Sequence, residues 1–234
     1  MERVICLVLG YVFGLFQTGY FIGKMNGIDI RTTGSKNAGT TNVLRTLGTK
    51  AGLIVFAGDA LKCILAIVLI RLIFGNTCAD FLPLLEIYTG AGVVVGHNFP
   101  FFMKFHGGKG IAATGGMIIA FDALCTGLGL IAFFGAFLIT HYVSLGSLLV
   151  YAGFMIEVVI LGQAGHFGMT QPYLNEMYIV VFLMTVMAYW KHKENIKRLL
   201  AGTERKTYLS KKKQEEQKAQ QMSDREPEGE QKDE

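Results

Sequence analysis

Apolar segments alternate with polar loops along most of the chain. Five of them come close to the roughly twenty apolar residues that a membrane-spanning helix needs: residues 4–23, 51–74, 82–100, 145–162 and 175–190. A further apolar stretch, 111–140, is too long for one helix and is interrupted at Asp122. We interpret it as two short helices with a turn near Asp122. The pattern predicts an all-α integral membrane protein with seven transmembrane helices.

The loops between these segments differ in their content of lysine and arginine. Loops 24–50 and 101–110 and the segment that starts at Lys191 are basic, whereas residues 75–81, 122–126 and 163–174 contain neither lysine nor arginine. Short basic loops stay on the cytoplasmic side of a membrane. With seven spans every basic loop lies on one face, which predicts an N-terminus outside and a C-terminus in the cytoplasm.

Composition agrees with this class of protein. The chain is 51% hydrophobic and 17% charged, whereas soluble domains carry about 25% charged residues. Residues 203–234 are different, because they contain 8 Lys and Arg, 9 Asp and Glu and few apolar residues. We therefore predict a membrane domain over residues 1–205 and a charged, disordered cytoplasmic tail over 206–234. The four cysteines are scattered without a Cys-x-x-Cys pair, so we expect no metal site. We also expect no cofactor and no nucleic-acid partner.

The first polar motif covers residues 31–48 on the basic face. It starts with Gly, Ser, Asn and Thr residues, which are typical of a turn, and a helix is predicted from Thr40 onward. A helix N-terminus beside Ser35 and Arg45 is suited to binding an anion. The alternative is a flexible, solvated loop with ordinary helix caps.

The second motif is Gly107-Gly108-Lys109-Gly110, between two apolar segments. Glycine backbones can bring N–H groups together around a phosphate, and Lys109 adds a positive charge. The spacing is not that of a Walker A loop. The alternative for Lys109 is a basic anchor at the membrane border.

The third motif follows the last apolar segment. If the helix continues beyond the membrane, His192, Asn195 and Leu199 share one face, and together the histidine and the asparagine can orient a hydroxyl and a phosphate. The alternative is a basic flank of the kind that often ends a final span. Within the second segment, Asp59 and Lys62 are three residues apart, and charges at that depth need a partner or a polar cavity. We interpret them as a structural pair near the floor of the site.

Together these segments resemble the bacterial acyl-phosphate-dependent glycerol-3-phosphate acyltransferases, the PlsY family. The resemblance covers residues 1 to about 205 and depends on three ordered motifs. They are Gly34-Ser35-x-Asn37-x-Gly39-x-x-Asn42-Val43-Leu44-Arg45, Gly96-His97-x-Phe99-Pro100-x-Phe102 through Phe105-x-Gly107-Gly108-Lys109-Gly110, and His192-x-x-Asn195-Ile196-x-Arg198-Leu199-x-x-Gly202-x-Glu204. Asp59-x-x-Lys62 and Tyr142-Val143-Ser144-Leu145 also fit. Three positions depart from the family pattern: Lys36, His106 and His141.

The resemblance implies transfer of a fatty acyl group from acyl-phosphate to the 1-hydroxyl of glycerol 3-phosphate. Both substrates carry phosphate, which agrees with several basic elements on one face. The acyl chain agrees with a site at the membrane, since each CH₂ kept from water contributes about 0.8 kcal/mol. The implied setting is the bacterial plasma membrane with the active site towards the cytoplasm. The implied partners are the two substrates, membrane lipid and the soluble enzyme that makes acyl-phosphate.

The resemblance also assigns roles to single residues. Ser35 and Arg45 would hold the acyl-phosphate and polarise its carbonyl, while His192 and Asn195 would orient the attacking hydroxyl. Gly107, Gly108 and Lys109 would cradle the phosphate of glycerol 3-phosphate. The remaining substrate-binding positions are Asn37, Gly39, Asn42, Ser144 and Arg198. Glu204 is interpreted as structural. A transporter of organic phosphate anions is the competing interpretation, although the chain shows no convincing internal repeat.

Overall fold

A computed structural model describes residues 1–208, and the elements within that range are all helical. The α-helices are α1 (Glu2–Gly14), α2 (Thr18–Met25), α3 (Thr40–Leu47), α4 (Thr49–Phe74), α5 (Leu82–Asn98), α6 (Ile111–Phe121), α7 (Ala123–Thr140), α8 (Val143–Gln163), α9 (Gln171–Lys191) and α10 (Lys193–Leu200). Short 3₁₀ turns lie at Ala79–Phe81 and Phe101–Met103. Most of the predicted tail, from residue 209 onward, lies outside the described residues.

The predicted all-α membrane architecture is confirmed. Within residues 1–208, six helical segments are long and apolar enough to cross a membrane: Glu2–Met25, Thr49–Phe74, Ala79–Met103, Ala123–Thr140, Val143–Gln163 and Gln171–Lys191. The additional helix α6 is apolar but has only 11 residues. Its length of about 16 Å is near half the thickness of the hydrocarbon core. Length and composition alone therefore give six spans plus one short apolar helix.

The predicted turn at Asp122 is confirmed. The backbone leaves the helical conformation at Asp122, whose side chain accepts a hydrogen bond from the backbone N–H of Cys125 at 2.9 Å. This is an N-cap, which satisfies one of the free N–H groups at the start of α7. The stretch 111–140 thus forms two helices because the aspartate ends one and caps the other.

The first apolar segment is not one continuous helix as the sequence predicted, because it breaks between α1 and α2. The break leaves backbone carbonyls free, and buried side chains satisfy them: Lys62 donates to the Phe16 carbonyl at 2.7 Å and Gln17 to the Gly14 carbonyl at 3.0 Å. Lys62 also pairs with Asp59 at 2.9 Å, and both side chains are buried. The expected Asp59–Lys62 pair is therefore present, and it ties α4 to this break.

Helices α1 and α5 pack with their backbones in close approach. A Cβ added at Gly96 would lie 2.3 Å from the Tyr11 carbonyl oxygen, and one added at Gly10 would lie 2.2 Å from the Thr89 carbonyl oxygen. Small residues allow helix backbones to approach in a bilayer, where lipid removes the usual hydrophobic drive for association. These contacts hold α5, which leads into the Lys109 loop, against the first helix.

We expect Gly96→Val to destabilise the helix bundle by about 1–3 kcal/mol, because its side chain has to displace backbone atoms of α1. Thermal unfolding in detergent measures this effect. Gly127→Val is the matched control, since a Cβ at Gly127 meets no atom within 4 Å among the described residues. Equal melting temperatures for the two variants would contradict the close-packing argument.

Candidate functional site

A polar cavity of about 440 Å³ opens where the ends of several helices meet. Most of the residues singled out from the sequence line it: Ser35, Asn37, Gly39, Asn42, Arg45, Lys109, Ser144, His192, Asn195 and Arg198. Positions separated by more than 150 residues along the chain thus come together in one site. We refer to this space as the polar cavity.

Three helix N-termini border the polar cavity. They belong to α3, α6 and α8, which begin after Gly39, Gly110 and Tyr142. Within the described part of the chain, none of these three N-cap residues makes a side-chain capping hydrogen bond. The first N–H groups of a helix carry a partial positive charge and are suited to bind phosphate oxygens. The helix from Thr40 that the sequence predicted is therefore present and contributes one of these ends.

Formal charge in the cavity wall is also mainly positive. The basic residues are Lys36, Arg45, Lys109, Lys191, Arg198 and Arg205, and the acidic ones are Asp59, Glu194 and Glu204. Asp59 and Glu204 already pair with Lys62 and Arg198. The cavity therefore favours an anionic ligand.

Arg45 is held by neutral groups. Its Nη2 donates to the Arg205 carbonyl at 2.8 Å and to the Thr207 hydroxyl at 2.5 Å. Its Nε is buried and has no hydrogen-bond partner among residues 1–208. Burial lowers the pKa of Arg45 to about 10, so the guanidinium stays charged at neutral pH. A partly buried arginine gains strongly from a bound anion when, as for Arg45 among residues 1–208, no carboxylate pairs with it.

Lys109 is the start of a hydrogen-bonded chain that leads to Glu204. Lys109 Nζ donates to Asn195 Oδ1. The amide of Asn195 then donates to Glu204 Oε1 at 2.7 Å, and the Ser144 hydroxyl donates to the same oxygen at 3.0 Å. Arg198 Nε donates to the other Glu204 oxygen at 2.7 Å. Glu204 therefore fixes the orientation of three of the expected site residues, which agrees with its interpretation as structural.

The electrostatic environment lowers the pKa of Lys109 to about 8. Burial is the largest cause, and the neighbouring Arg198, Lys191 and Arg45 contribute in the same direction, whereas Glu204 raises it. A phosphate beside Lys109 would favour its charged form.

His192 is buried, and its ring is oriented to accept a hydrogen bond at one nitrogen. Its Nδ1 lies 2.8 Å from the Ala188 carbonyl oxygen. Because a carbonyl only accepts, Nδ1 carries the hydrogen and Nε2 keeps a free lone pair. Burial and the charge of Lys109 lower the pKa of His192 to about 4, so the ring is neutral at pH 7. The helix does not continue smoothly here, since α9 ends at Lys191 and α10 begins at Lys193.

The loop that carries Ser35 is held in shape by hydrogen bonds between asparagine side chains and its own backbone. Asn42 is 2% exposed; its amide donates to the carbonyls of Ile30, Thr33 and Asn37, and its oxygen accepts from the Ser35 N–H at 2.8 Å. Asn37 accepts from the Gly39 N–H at 2.9 Å. Asn42 and Asn37, which were expected to bind substrate, line the polar cavity, and these hydrogen bonds of their side chains shape the loop. The Ser35 side chain is exposed at the cavity.

Gly107 and Gly108 differ from the expectation that they cradle a phosphate. Their N–H groups bond to the carbonyls of Asn98 and His97 at 3.2 and 3.1 Å, and neither glycine lines the polar cavity. A Cβ at Gly108 would lie 2.0 Å from His97 Nε2. These glycines therefore allow the loop to pack against the end of α5, while Lys109 and Gly110 face the cavity.

Some cavity residues were not singled out as site residues from the sequence. Lys191 lies in a stretch that reads as a basic flank, Arg205 is the last residue of the predicted membrane domain, and Thr207 was placed in the disordered tail. Thr207 is 2% exposed, and its N–H donates to the His141 carbonyl at 2.9 Å. Packed structure thus continues beyond the boundary predicted at residue 205. No local sequence pattern marks these residues, because their positions depend on the return of the chain after α10.

A second, apolar cavity of about 340 Å³ adjoins the first. Thr40, Thr41, Ile111 and Val143 line both cavities. The other walls are mainly aliphatic and aromatic side chains of α4, α6, α7 and α8, including Phe56, Ile118, Leu130 and Phe137. We refer to this space as the apolar groove. A charged cavity and an apolar groove that share a border suit a ligand with an ionic head and a hydrocarbon chain.

Comparison with known proteins places the chain in a family. A sequence profile described as glycerol-3-phosphate acyltransferase matches residues 4–202. The chain is 39% identical over 210 residues to the glycerol-3-phosphate acyltransferase of a Thermoanaerobacter species, covering 88% of this chain and 96% of that protein. It is 38% identical over 214 residues to the corresponding Bacillus subtilis protein, covering 88% and 98%.

Two solved structures are similar over nearly their whole length. One is PlsY, an integral membrane glycerol 3-phosphate acyltransferase, in its glycerol 3-phosphate form, with a TM-score of 0.75, 31% identity, and coverage of 89% of this chain and 96% of that one. The other is its lysophosphatidic acid form, with a TM-score of 0.73, 30% identity, and coverage of 89% and 97%. The resemblance found in the motifs is thereby confirmed, and the chain belongs to the glycerol-3-phosphate acyltransferase family.

Proposed function

We propose that the protein transfers a fatty acyl group from acyl-phosphate to the 1-hydroxyl of sn-glycerol 3-phosphate. The products are 1-acyl-sn-glycerol 3-phosphate and inorganic phosphate. The observation that carries this proposal is the shared border between the polar cavity and the apolar groove. Uncapped helix ends and desolvated cations suit the phosphates of both substrates, and the groove suits the acyl chain.

In this proposal the acyl-phosphate lies across the border of the two cavities. Its chain occupies the apolar groove, and its phosphate lies near Arg45 and the N-terminus of α3. Ser35 and Arg45 are then placed to stabilise negative charge that develops on the carbonyl oxygen during attack. Thr40 and Thr41, which line both cavities, surround the reacting carbonyl.

Glycerol 3-phosphate binds on the other side of the polar cavity. Lys109 and the N-terminus of α6 hold its phosphate, with Ser144 and Arg198 nearby. Asn195 and His192 Nε2 orient the 1-hydroxyl towards the acyl carbonyl. Because the hydroxyl and the carbonyl are held together in the reacting geometry, a bimolecular step becomes an effectively unimolecular one, which lowers the barrier to acyl transfer.

The bond between the glycerol oxygen and the acyl carbon forms while the bond from that carbon to the phosphate oxygen breaks. With a pKa near 4, His192 is too weak a base to retain the proton at neutral pH. In our proposal it accepts the hydrogen bond that aligns the hydroxyl, and the proton ends on the departing phosphate, which leaves as HPO₄²⁻.

We further propose that α6 completes a seventh passage of the membrane, partly surrounded by other helices. Its first residues line the polar cavity and its end contacts Asp122. With seven passages the N-terminus lies outside, and the polar cavity faces the cytoplasm of a bacterial cell, where all basic loops gather. Exposed basic residues of α10, Lys193 and Lys197, lie beside the cavity. They support docking of the soluble enzyme that supplies acyl-phosphate.

The activity is tested with purified protein in lipid, palmitoyl-phosphate and radiolabelled glycerol 3-phosphate. We expect labelled lysophosphatidic acid and an equal amount of inorganic phosphate. Folded protein that forms no such product would overturn the proposal. Uptake of glycerol 3-phosphate into proteoliposomes without acylation would instead support an organic-phosphate transporter.

We expect Lys109→Ala to raise the KM for glycerol 3-phosphate by about tenfold or more, because a desolvated charge-assisted contact to phosphate is lost. Steady-state kinetics at saturating acyl-phosphate measures the change. Lys104→Ala is the matched control, since Lys104 is an exposed lysine of the same loop that does not line the polar cavity. An unchanged KM in Lys109→Ala would remove Lys109 from the phosphate site.

The pKa of Lys109 predicts how acceptor binding depends on pH. Lys109 is charged below its pKa of about 8 and loses its charge as pH rises through that value. The KM for glycerol 3-phosphate should therefore rise above about pH 8. In Lys109→Arg this rise should vanish, because arginine remains charged. A KM in the wild-type protein that stays constant to pH 9.5 would contradict this prediction.

The apolar groove predicts which variants change the choice of acyl chain. Gly129 on α7 lines the groove about 12 Å from Phe137 along the helix, and a Cβ added there meets no atom within 4 Å among the described residues. Gly129→Leu should lower the rate with palmitoyl-phosphate relative to decanoyl-phosphate by about tenfold. Gly127→Leu is the control, since Gly127 is equally open but does not line the groove. If both variants show the same rate with palmitoyl-phosphate relative to decanoyl-phosphate, Gly129 does not line the site of the acyl chain.

A further inference from the structure

The segment that follows α10 returns to the polar cavity. The chain turns at Gly202, whose φ is +69°, and residues 203–208 then run back towards α3 and the start of α8. Glu204 fastens this segment to Ser144 and Asn195, and the Thr207 N–H fastens it to the His141 carbonyl. We refer to residues 203–208 as the return segment. It lies beyond residue 202, where the match to the family profile ends.

The return segment supplies both described hydrogen-bond acceptors of Arg45. One is the Arg205 carbonyl at 2.8 Å and the other is the Thr207 hydroxyl at 2.5 Å, and both accept from Nη2. Arginine needs its plane fixed to direct the remaining N–H groups. Because the return segment holds Nη2, it also sets the direction of Nε, which is buried and has no partner among residues 1–208.

Thr207 itself lies at the border of the two cavities. It is 2% exposed and lines the apolar groove, whereas Arg45 lines the polar cavity. The hydrogen bond between them therefore crosses the border at which the proposed reaction places the carbonyl of the acyl donor. The Thr207 backbone is held separately by its hydrogen bond to the His141 carbonyl, which fixes the position from which the Thr207 hydroxyl reaches Arg45.

We infer that Thr207 is a positioning residue for Arg45, and that through it the return segment sets the affinity for the acyl donor. This inference rests on the proposed function. Thr207 does not touch the acceptor side, which is built around Lys109 and Asn195. Loss of its hydroxyl should therefore affect the acyl-phosphate and the product phosphate, but leave glycerol 3-phosphate binding unchanged.

The test compares Thr207→Val, Thr207→Ser and Thr203→Val in lipid with both substrates. Valine keeps the shape of threonine without the hydroxyl, and serine keeps the hydroxyl. Thr203→Val makes the same chemical change at an exposed position of the return segment. The KM for each substrate, the inhibition constant of inorganic phosphate and the melting temperature are measured for each variant.

We expect Thr207→Val to raise the KM for acyl-phosphate and the inhibition constant of phosphate by about tenfold, because a hydrogen bond to a charged group is lost. The KM for glycerol 3-phosphate should stay within about twofold of the wild-type value. Thr207→Ser and Thr203→Val should behave like the wild-type protein.

Two results would overturn the inference. One is wild-type constants in Thr207→Val. The other is a fall in turnover that follows the amount of folded protein while both KM values stay the same, which is the signature of a purely structural role. Either result would leave the proposed function intact as long as the wild-type protein makes lysophosphatidic acid. If the wild-type protein forms no lysophosphatidic acid, the proposed function itself is refuted.

Discussion

The site depends on the positive charges of Arg45 and Lys109, which are partly removed from water and have no carboxylate partner among residues 1–208. Burial lowers the pKa values of Arg45 and Lys109 to about 10 and about 8, which shows that their charged forms are poorly solvated. Such charges are costly in the free protein, and a bound phosphate relieves the cost. The N-termini of α3, α6 and α8, which have no side-chain cap in the part of the chain that the structure describes, add to the same field.

The rest of the fold can be understood as support for this arrangement. Glu204 orients Asn195, Ser144 and Arg198 through hydrogen bonds, and among residues 1–208 it forms none with Arg45 or Lys109. At the floor, Asp59 is paired with Lys62, so its charge is balanced before a substrate enters. Glycines along α1 and α5 bring these helices close and fix the end of α5 beneath the Lys109 loop.

The bilayer adds a second constraint. A fatty acyl chain is already in an apolar medium before it binds, so burial of the chain provides little selectivity between the groove and the lipid. Selection then depends on shape, and the groove offers open space beside Gly115 and Gly129 within walls of aromatic and branched side chains. A ligand whose acyl chain lies in the groove has its charged head at the border with the polar cavity, among the helix N-termini. The acyl donor and the acceptor of the proposed reaction therefore meet at this border.

Much of this protein could be predicted from sequence because the relevant signals are local. Runs of apolar residues gave the helices, Asp122 gave the break in 111–140, and the Gly-, Ser- and Asn-rich motifs gave the family and most residues of the polar cavity. The break between α1 and α2 was missed, since it is stabilised by Lys62, which lies more than 40 residues away. The hydrogen bonds of Asn42, Gly107 and Gly108 to backbone carbonyls were not predicted either, because they form only when the loops are closed. The sequence by itself determined a helical membrane protein of the glycerol-3-phosphate acyltransferase family, with its polar motifs next to basic loops. Only the tertiary structure decided that the chain returns after α10 to hold Arg45, because that contact joins residues 45 and 207, whose separation leaves no periodic or local trace in the sequence.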